Sequence, residues 1–414
     1  MSTDHGAAST TKARDDGSPM EFNPYSDSFF DDPYDTYRWM RDEAPVYYSE
    51  RWDFYALTRY EDVVAAHRDW ETFSSSYGVT LDALSMRRRF DELKMLIVMD
   101  PPEHERLRKL VRQVFTKAAI ANLEPLVIDV VTSCADALAG RKDFDIVADF
   151  AALFPVEIIS SMLGVPAGER QQIRLWTDGF LHREENNPFA TESGVADSMA
   201  MSEYFLELAR EKRRNPDDLI ISRLVTATYE DETGVTHRLT DDDIATFAVL
   251  IAAAGSETVT KLVGNGVVAF HRNPDQWELV HADPALIPGA IEEMLRLNPP
   301  SQYQGRFATR DVALDGGTIP AGSPTLLVTG AATRDPRTYD RPDAFDIRRG
   351  GATTLAFGYG SHSCLGAWLA RLESRVAFQH LRERWPRFDV DTDGLQRVTM
   401  SNVAGYSHVP VHVG

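Results

Sequence analysis

Cysteine is almost absent: among 414 residues there are two, Cys134 and Cys364. So few thiols exclude a disulfide scaffold and suit a reducing cytoplasm. Positive charge is also short, with 43 Lys and Arg against 63 Asp and Glu and a formal net charge of −20. A chain this acidic repels the phosphate backbone, so wholesale nucleic-acid binding is excluded and no nucleic-acid partner is expected. The stretch 1–19 is polar, rich in Ser, Thr, Asp and Ala, and carries no apolar run of the signal-peptide kind. Nor does it approach the roughly 20 apolar residues that a membrane span needs. No membrane anchor and a cytoplasmic location are therefore expected. Repeats, Gly/Ser tracts and Pro-rich linkers are also missing, so nothing marks an internal domain boundary.

What is present suffices for a large core. Hydrophobic residues make up 43% and charged residues 26%, the balance of a globular protein. Length alone admits two or three domains of ordinary size. The unbroken patterning from about residue 24 reads instead as one domain, 24–414, behind a flexible leader, 1–23. Apolar runs at 45–48 and 54–57 flank a short turn and predict a hairpin. Helical periodicity then dominates, over 60–69, 104–114, 123–139, 156–162, 199–213, 240–272, 287–297 and 365–382. Strand signals return at 312–314, 318–319 and 325–328. The expected fold class is mainly α with a smaller β-rich region. Cys134 falls in the apolar run 130–138 and reads as packing.

Cys364 is different. It stands in Phe357-Gly358-Tyr359-Gly360-Ser361-His362-Ser363-Cys364-Leu365-Gly366, directly before a helix-like stretch. The free N–H groups and positive dipole end of that helix favour a thiolate. Gly358, Gly360 and Gly366 are expected to take positive φ and to let something large and flat approach. A thiolate so placed suits haem iron, where it favours cleavage of a bound O–O bond. The pattern Phe-Gly-x-Gly-x-His-x-Cys-x-Gly resembles, with no substituted position, the haem-ligand loop of the cytochrome P-450 monooxygenases. The resemblance covers nearly the whole chain and implies the cytochrome P-450 fold, with haem b (iron protoporphyrin IX) as cofactor. It implies Cys364 as the only protein ligand of the iron, with Phe357, Gly358 and Gly366 against the haem. Without an N-terminal anchor, the chain resembles the soluble bacterial branch.

Thr240-Asp241-Asp242-Asp243 opens a run of about 30 residues with a start like a capping box. At 1.5 Å per residue such a helix is about 45 Å long. In its middle stands Ala253-Ala254-Gly255-Ser256-Glu257-Thr258. Gly, Ser and Thr there weaken the hydrogen-bond ladder and invite a kink or an inserted group, a local conflict of the kind that marks function. On residues alone, Thr258 could simply bond back to a carbonyl one turn earlier, with Glu257 on a solvated face. The stretch also resembles the family's Ala/Gly-Gly-x-Asp/Glu-Thr motif. That likeness implies that Ala254 and Gly255 leave room for O2, that Thr258 hydrogen-bonds it or its water, and that Glu257 connects that water to bulk protons.

Haem carries two propionates and needs donors at its edge. His104 and Arg108 are one turn apart on one helical face and resemble the family's His-x-x-x-Arg propionate pair. Arg306, after a Pro-Pro turn, and His362, two residues before the cysteine, are the other propionate candidates by resemblance. Glu293-Met294-Leu295-Arg296 is similar to the family's Glu-x-x-Arg, which with Arg349 implies a buried structural cluster supporting the cysteine loop. The segment 330–336 resembles the family's Ala-Ala-Asn-Arg-Asp-Pro, with Thr333 where Asn is usual.

The resemblance further implies a substrate pocket lined from 79–86, by Leu250 and Ala253, and from 301–304 and 402–404. This mixture suits a hydrophobic molecule with some oxygen functions, such as a steroid, terpenoid, polyketide or fatty acid. The polar, aperiodic stretch 180–198 is expected to be a mobile lid. O2 is the expected oxidant, with electrons from a ferredoxin and its reductase and NAD(P)H as ultimate donor. Arg106, Lys109, Arg112 and Lys117 form the expected docking patch, with Arg108 reserved for the haem edge. Two alternatives remain at this point: a peroxide-driven haem-thiolate peroxygenase, against which Glu257-Thr258 argues, and a haem protein that only binds ligands.

Overall fold

The computed structural model describes residues 20–350 and 354–414. Its axis is the helix Asp241–Arg272, 32 residues long. The reciprocal cap is present: Asp243 N–H donates to Thr240 Oγ1 at 3.1 Å, and Thr240 N–H donates to the Asp243 carboxylate at 2.9 Å. Apolar residues surround most of its circumference, so it must be enclosed on all sides. The helices Phe154–Leu163, Arg170–Leu181, Glu192–Arg214, Ile287–Leu297 and Ala367–Arg384 pack around it. Among the described residues it alone has the length and apolarity of a membrane span, and 72% of that stretch lies buried inside the protein.

The β-rich part sits to one side. Its main sheet runs in the order Val46–Ser49, Phe54–Leu57, Ser323–Leu327, Gln304–Ala308 and Phe73–Ser74. The expected hairpin is its first pair, antiparallel with Val46 opposite Leu57. Ser323–Leu327 then pairs parallel to Phe54–Leu57 and antiparallel to Gln304–Ala308, which sets Arg306 opposite Thr325. A smaller sheet joins Phe388–Val390, Pro410–Val413 and Asp143–Asp145.

The expected mainly α class with a smaller β region is met, with corrections. Residues 1–19 of the expected leader lie outside the described residues. Its last residues belong to the folded body: Phe22 is 1% exposed, edge-on to Phe29, Tyr37, Tyr47 and Phe54. The helices Tyr34–Glu43 and Arg170–Leu181 were not expected, nor was the strand Gln304–Ala308. That strand is buried along nearly its whole length, so it lacks the alternation that marks a half-exposed strand.

Glu293, Arg296 and Arg349 meet as expected. Arg296 Nε lies 2.7 Å and Arg349 Nε 3.0 Å from the Glu293 carboxylate. Arg296 also donates to the carbonyls of Thr333, Pro342 and Ala344. Hydrogen-bonded throughout, with Glu293 and Arg296 buried and Arg349 partly so, the cluster ties Ile287–Leu297 to the loop that leads toward Cys364.

Candidate active site

The cysteine loop turns back on itself: the Cys364 N–H donates to the Phe357 carbonyl at 2.7 Å, and the Gly358 N–H to Leu355 at 2.8 Å. Gly358 (φ +66°) and Gly360 (φ +69°) take the left-handed conformation expected of them. At Gly360 a Cβ would also lie 2.5 Å from the His67 carbonyl. Gly366 departs from the expectation, with φ −83° as the N-cap of Ala367–Arg384. Its N–H serves the Cys364 sulfur instead.

That sulfur is deep in the protein yet open to an internal cavity of about 310 Å³. Burial pushes the thiol up, against the opposing pull of the Gly366 N–H, Arg108 and Arg371. A metal cation at the sulfur would displace the proton outright. Among the described residues no group of three His, Cys, Asp or Glu could hold a bare metal ion. A single thiolate suffices for an iron that arrives inside its own macrocycle.

The cavity wall carries bases that lack partners. His104 is fully buried with neither ring nitrogen hydrogen-bonded, and it stacks on His362 at 4.2 Å between centroids. His362 Nε2 is likewise unpaired. Arg306 is 4% exposed, and it donates to the carbonyl of its own neighbour Gly305 at 2.7 Å. Arg108 reaches the Ser363 carbonyl. Burial, then the Arg108 charge, holds His104 down to about 4; burial, Arg306 and His104 hold His362 well below its ordinary range; burial lowers Arg306 to about 10. Several bases that disfavour each other's charge are a costly arrangement unless an anion joins them. Two propionates at the edge of a haem fit that vacancy in the charge balance, and all four expected edge residues are brought together there.

From the long helix, Ala254, Gly255 and Thr258 line the same cavity, as do Phe357, Gly358 and Gly366. Thr258 Oγ1 donates to the Ala254 carbonyl at 3.0 Å, and the helix runs on unbroken past it. Gly255 lines the cavity, and a Cβ there would lie 2.8 Å from the side chain of Ile159, which lines it too. Gly255 thus admits the neighbouring helix Phe154–Leu163. Glu257 faces neither the cavity nor solvent. It is 2% exposed, with Oε2 2.8 Å from Lys261 Nζ. Burial pushes its carboxyl up, but Lys261, Asp178 and Arg174 outweigh that and hold it below its ordinary value. Its neighbour Asp178, on Arg170–Leu181, is pushed up to about 8 by burial and the Glu257 charge. Asp178, with which Glu257 interacts, is 36% exposed.

Of the expected substrate-pocket residues, Val79, Leu250, Ser301, Gln304 and Asn402 line the cavity. Ala253 and the rest of 79–86 do not, and Met86 is an exposed surface residue. Gln302 and Tyr303 turn into the packing, meeting Tyr37 and the Ser401 carbonyl. Leu96, Phe115, Ile159, His67 and Glu373 line the cavity without having been expected. Both Glu373 oxygens are buried and unpaired, and burial pushes its carboxyl well up. His67 had a legible signal, a histidine on the apolar Val63–Val64 face of its helix. The stretch 180–198 is not irregular throughout: Glu192–Arg214 begins inside it, capped by Thr191. Arg106 lies 4.0 Å from Glu232, so it does not stand free beside the exposed Lys109, Arg112 and Lys117.

Residues 191–403 match the sequence model of the family described as Cytochrome P450. The chain is 39% identical over 395 residues to Putative cytochrome P450 123 of Mycobacterium tuberculosis, covering 95% of this chain and 97% of that one. It is 35% identical to Vitamin D(3) 25-hydroxylase of Pseudonocardia autotrophica, covering 94% and 96%. Among solved structures, a mutant of P450 EryK in complex with erythromycin B superposes with a TM-score of 0.83 at 33% identity, covering 92% and 95%. CYP109E1 from Bacillus megaterium in complex with testosterone superposes at 0.82 and 30%, covering 92% and 98%. Likeness of this degree over nearly the full length of each pair leaves one conclusion: the chain belongs to the cytochrome P450 family of monooxygenases.

Proposed function

We propose that the protein is an O2-dependent monooxygenase of the cytoplasm that inserts one oxygen atom, by hydroxylation or epoxidation, into a hydrophobic small molecule. Its two electrons come from NAD(P)H through a ferredoxin reductase and a ferredoxin. The stoichiometry is substrate, O2, two electrons and two protons giving oxygenated substrate and water. The observation that carries this reading is Thr258, which lines the same cavity as Cys364, with the buried Glu257 beside it in sequence.

Haem b would be held by Cys364 at the iron and by His104, Arg108, Arg306 and His362 at the propionates. When bound, a thiolate-ligated haem supplies the O–O cleavage that insertion of one atom requires. The chain supplies the remainder. Thr258 holds a proton at its hydroxyl, and Glu257 and Asp178 carry protons from the surface side. Leu96, Phe115, Leu250 and Leu295 exclude water, while Ser301, Gln304 and Asn402 offer polar contacts to the substrate's oxygen functions. That lining suits a steroid, terpenoid, polyketide or fatty acid, and the relatives named for vitamin D(3) and complexed with testosterone or erythromycin B support this range.

Two measurements test the reading. The reduced carbonyl complex should show the red-shifted absorption band of a thiolate ligand, and Cys364→Ser should abolish it; survival of the band in the variant overturns the ligand assignment. Turnover of a compound that shifts the haem band should require O2 and the ferredoxin–reductase pair. Equal product from hydrogen peroxide alone would favour the peroxygenase reading instead.

A further inference from the structure

We propose that His67 is an additional hydrogen-bond donor to the haem propionate edge, on the Arg306 side, a role that rests on the haem reading above. His67 lies in the last turn of Tyr60–Arg68. It is 5% exposed, it lines the cavity, and neither ring nitrogen has a hydrogen-bond partner. A buried polar group left unpaired costs free energy that a leucine of similar volume would not. An imidazole therefore stands on this otherwise apolar face, beside Val63 and Val64, at a cost that only a ligand in the cavity can offset.

Its position is set from two sides. The His67 carbonyl closes on Gly360 so tightly that no Cβ would fit between them, which pins this helix end to the loop carrying His362 and Cys364. From the sheet, Arg306 lies near enough that its charge adds to burial in holding the His67 imidazole down to about 3. Neutral imidazole has one N–H to give and one nitrogen to accept. The neighbouring Gln304 pulls weakly the other way, toward the charged ring, but its own hydrogen bonds run to Ser301 at 2.9 Å and from Thr329 at 2.7 Å. His67 thus offers an open donor at the wall where His104, His362 and Arg306 also await an anion. A carboxylate arriving there would favour the protonated ring and strengthen the contact.

The test uses substrate-free holoenzyme. In His67→Leu the propionate bending band of the resonance Raman spectrum should shift, and haem transfer to excess apomyoglobin should become about ten-fold faster. His67→Gln, which keeps a donor, should recover most of the haem retention and leave the band part-way. If His67→Leu fails to fold with haem, the band in His67→Gln decides. A propionate band at the wild-type position in every variant that folds overturns the proposal, even where haem is lost faster, because faster loss alone reports packing. An unshifted band in His67→Leu that moves only when a carboxylate-bearing compound is added would assign His67 to substrate and likewise overturn it. Failure of the haem reading is distinct, since the wild-type carbonyl complex would then lack its thiolate band.

Discussion

Thr258 makes the back-bond to a carbonyl one turn earlier that any helical threonine can make. Its distinction is the space it borders, since Thr258 lines the same cavity as Cys364. Thr258→Ala should keep the haem but divert reducing equivalents to hydrogen peroxide, lowering product formed per electron. Proton-delivery groups commonly contribute about 10²- to 10⁴-fold. Peroxide and product measured against NAD(P)H consumed will check this, and unchanged coupling would reduce Thr258 to a packing residue. Asp178 makes a second prediction. Its folded pKa of about 8 lies above the ordinary 3.8, so the folded protein keeps a proton that the unfolded chain releases. Stability should therefore fall as pH rises from about 4 to about 8. Partial exposure of Asp178 will moderate the slope. Asp178→Asn should flatten it, as read from the thermal midpoint of the holoenzyme across that range; an unchanged slope would show that Asp178 is not the titrating group.

Elements differ in how firmly they are held. The long helix is enclosed and begins in a reciprocal cap, whereas the connection between Arg170–Leu181 and Glu192–Arg214 carries no long regular element and is tied down at separate points. Arg183 is its anchor, 3% exposed, with Nε donating to the Pro188 carbonyl at 2.9 Å. Beyond it, Phe189 stands 51% exposed. Backbone amides of 184–191 should exchange with solvent far faster than those of 241–272, and bound substrate should slow the former. Equal protection in the two segments would contradict a lid. The helix Ile287–Leu297 was legible to the residue because its apolar stripe is clean. The start at Glu192 was not, because its first turns are polar and only their packing on Arg170–Leu181 makes them helix.

At the scale of the whole molecule, a net charge of −20 makes a local basic patch conspicuous. Lys109, Arg112 and Lys117 are exposed, and the Lys117 ammonium lies 5.0 Å over the ring of Trp368, itself 44% exposed. These residues lie near the cysteine loop, where Arg371 also covers Phe357 at 4.5 Å. An acidic ferredoxin would be steered there at low salt, with the effect screened as salt rises. Lys109→Glu with Arg112→Glu should slow first-electron transfer at low salt and leave substrate affinity intact. Stopped-flow reduction across ionic strengths will check this; an unchanged rate and salt slope would move the docking site elsewhere.

By itself the sequence determined the chemistry. One glycine-rich loop places Cys364, the middle of one long helix places Thr258, and a short motif pairs His104 with Arg108. Each depends on residues close along the chain, whose geometry follows from local backbone rules. Cys134 could likewise be set aside as packing, and burial does push its thiol up to about 11. The tertiary structure decided whatever depends on which elements meet. That Gly255 packs on Ile159, that Glu257 answers to Asp178, and that His67 shares a wall with Arg306 and His362 are contacts between distant segments. Helical periodicity states which face is apolar, but not what lies against it.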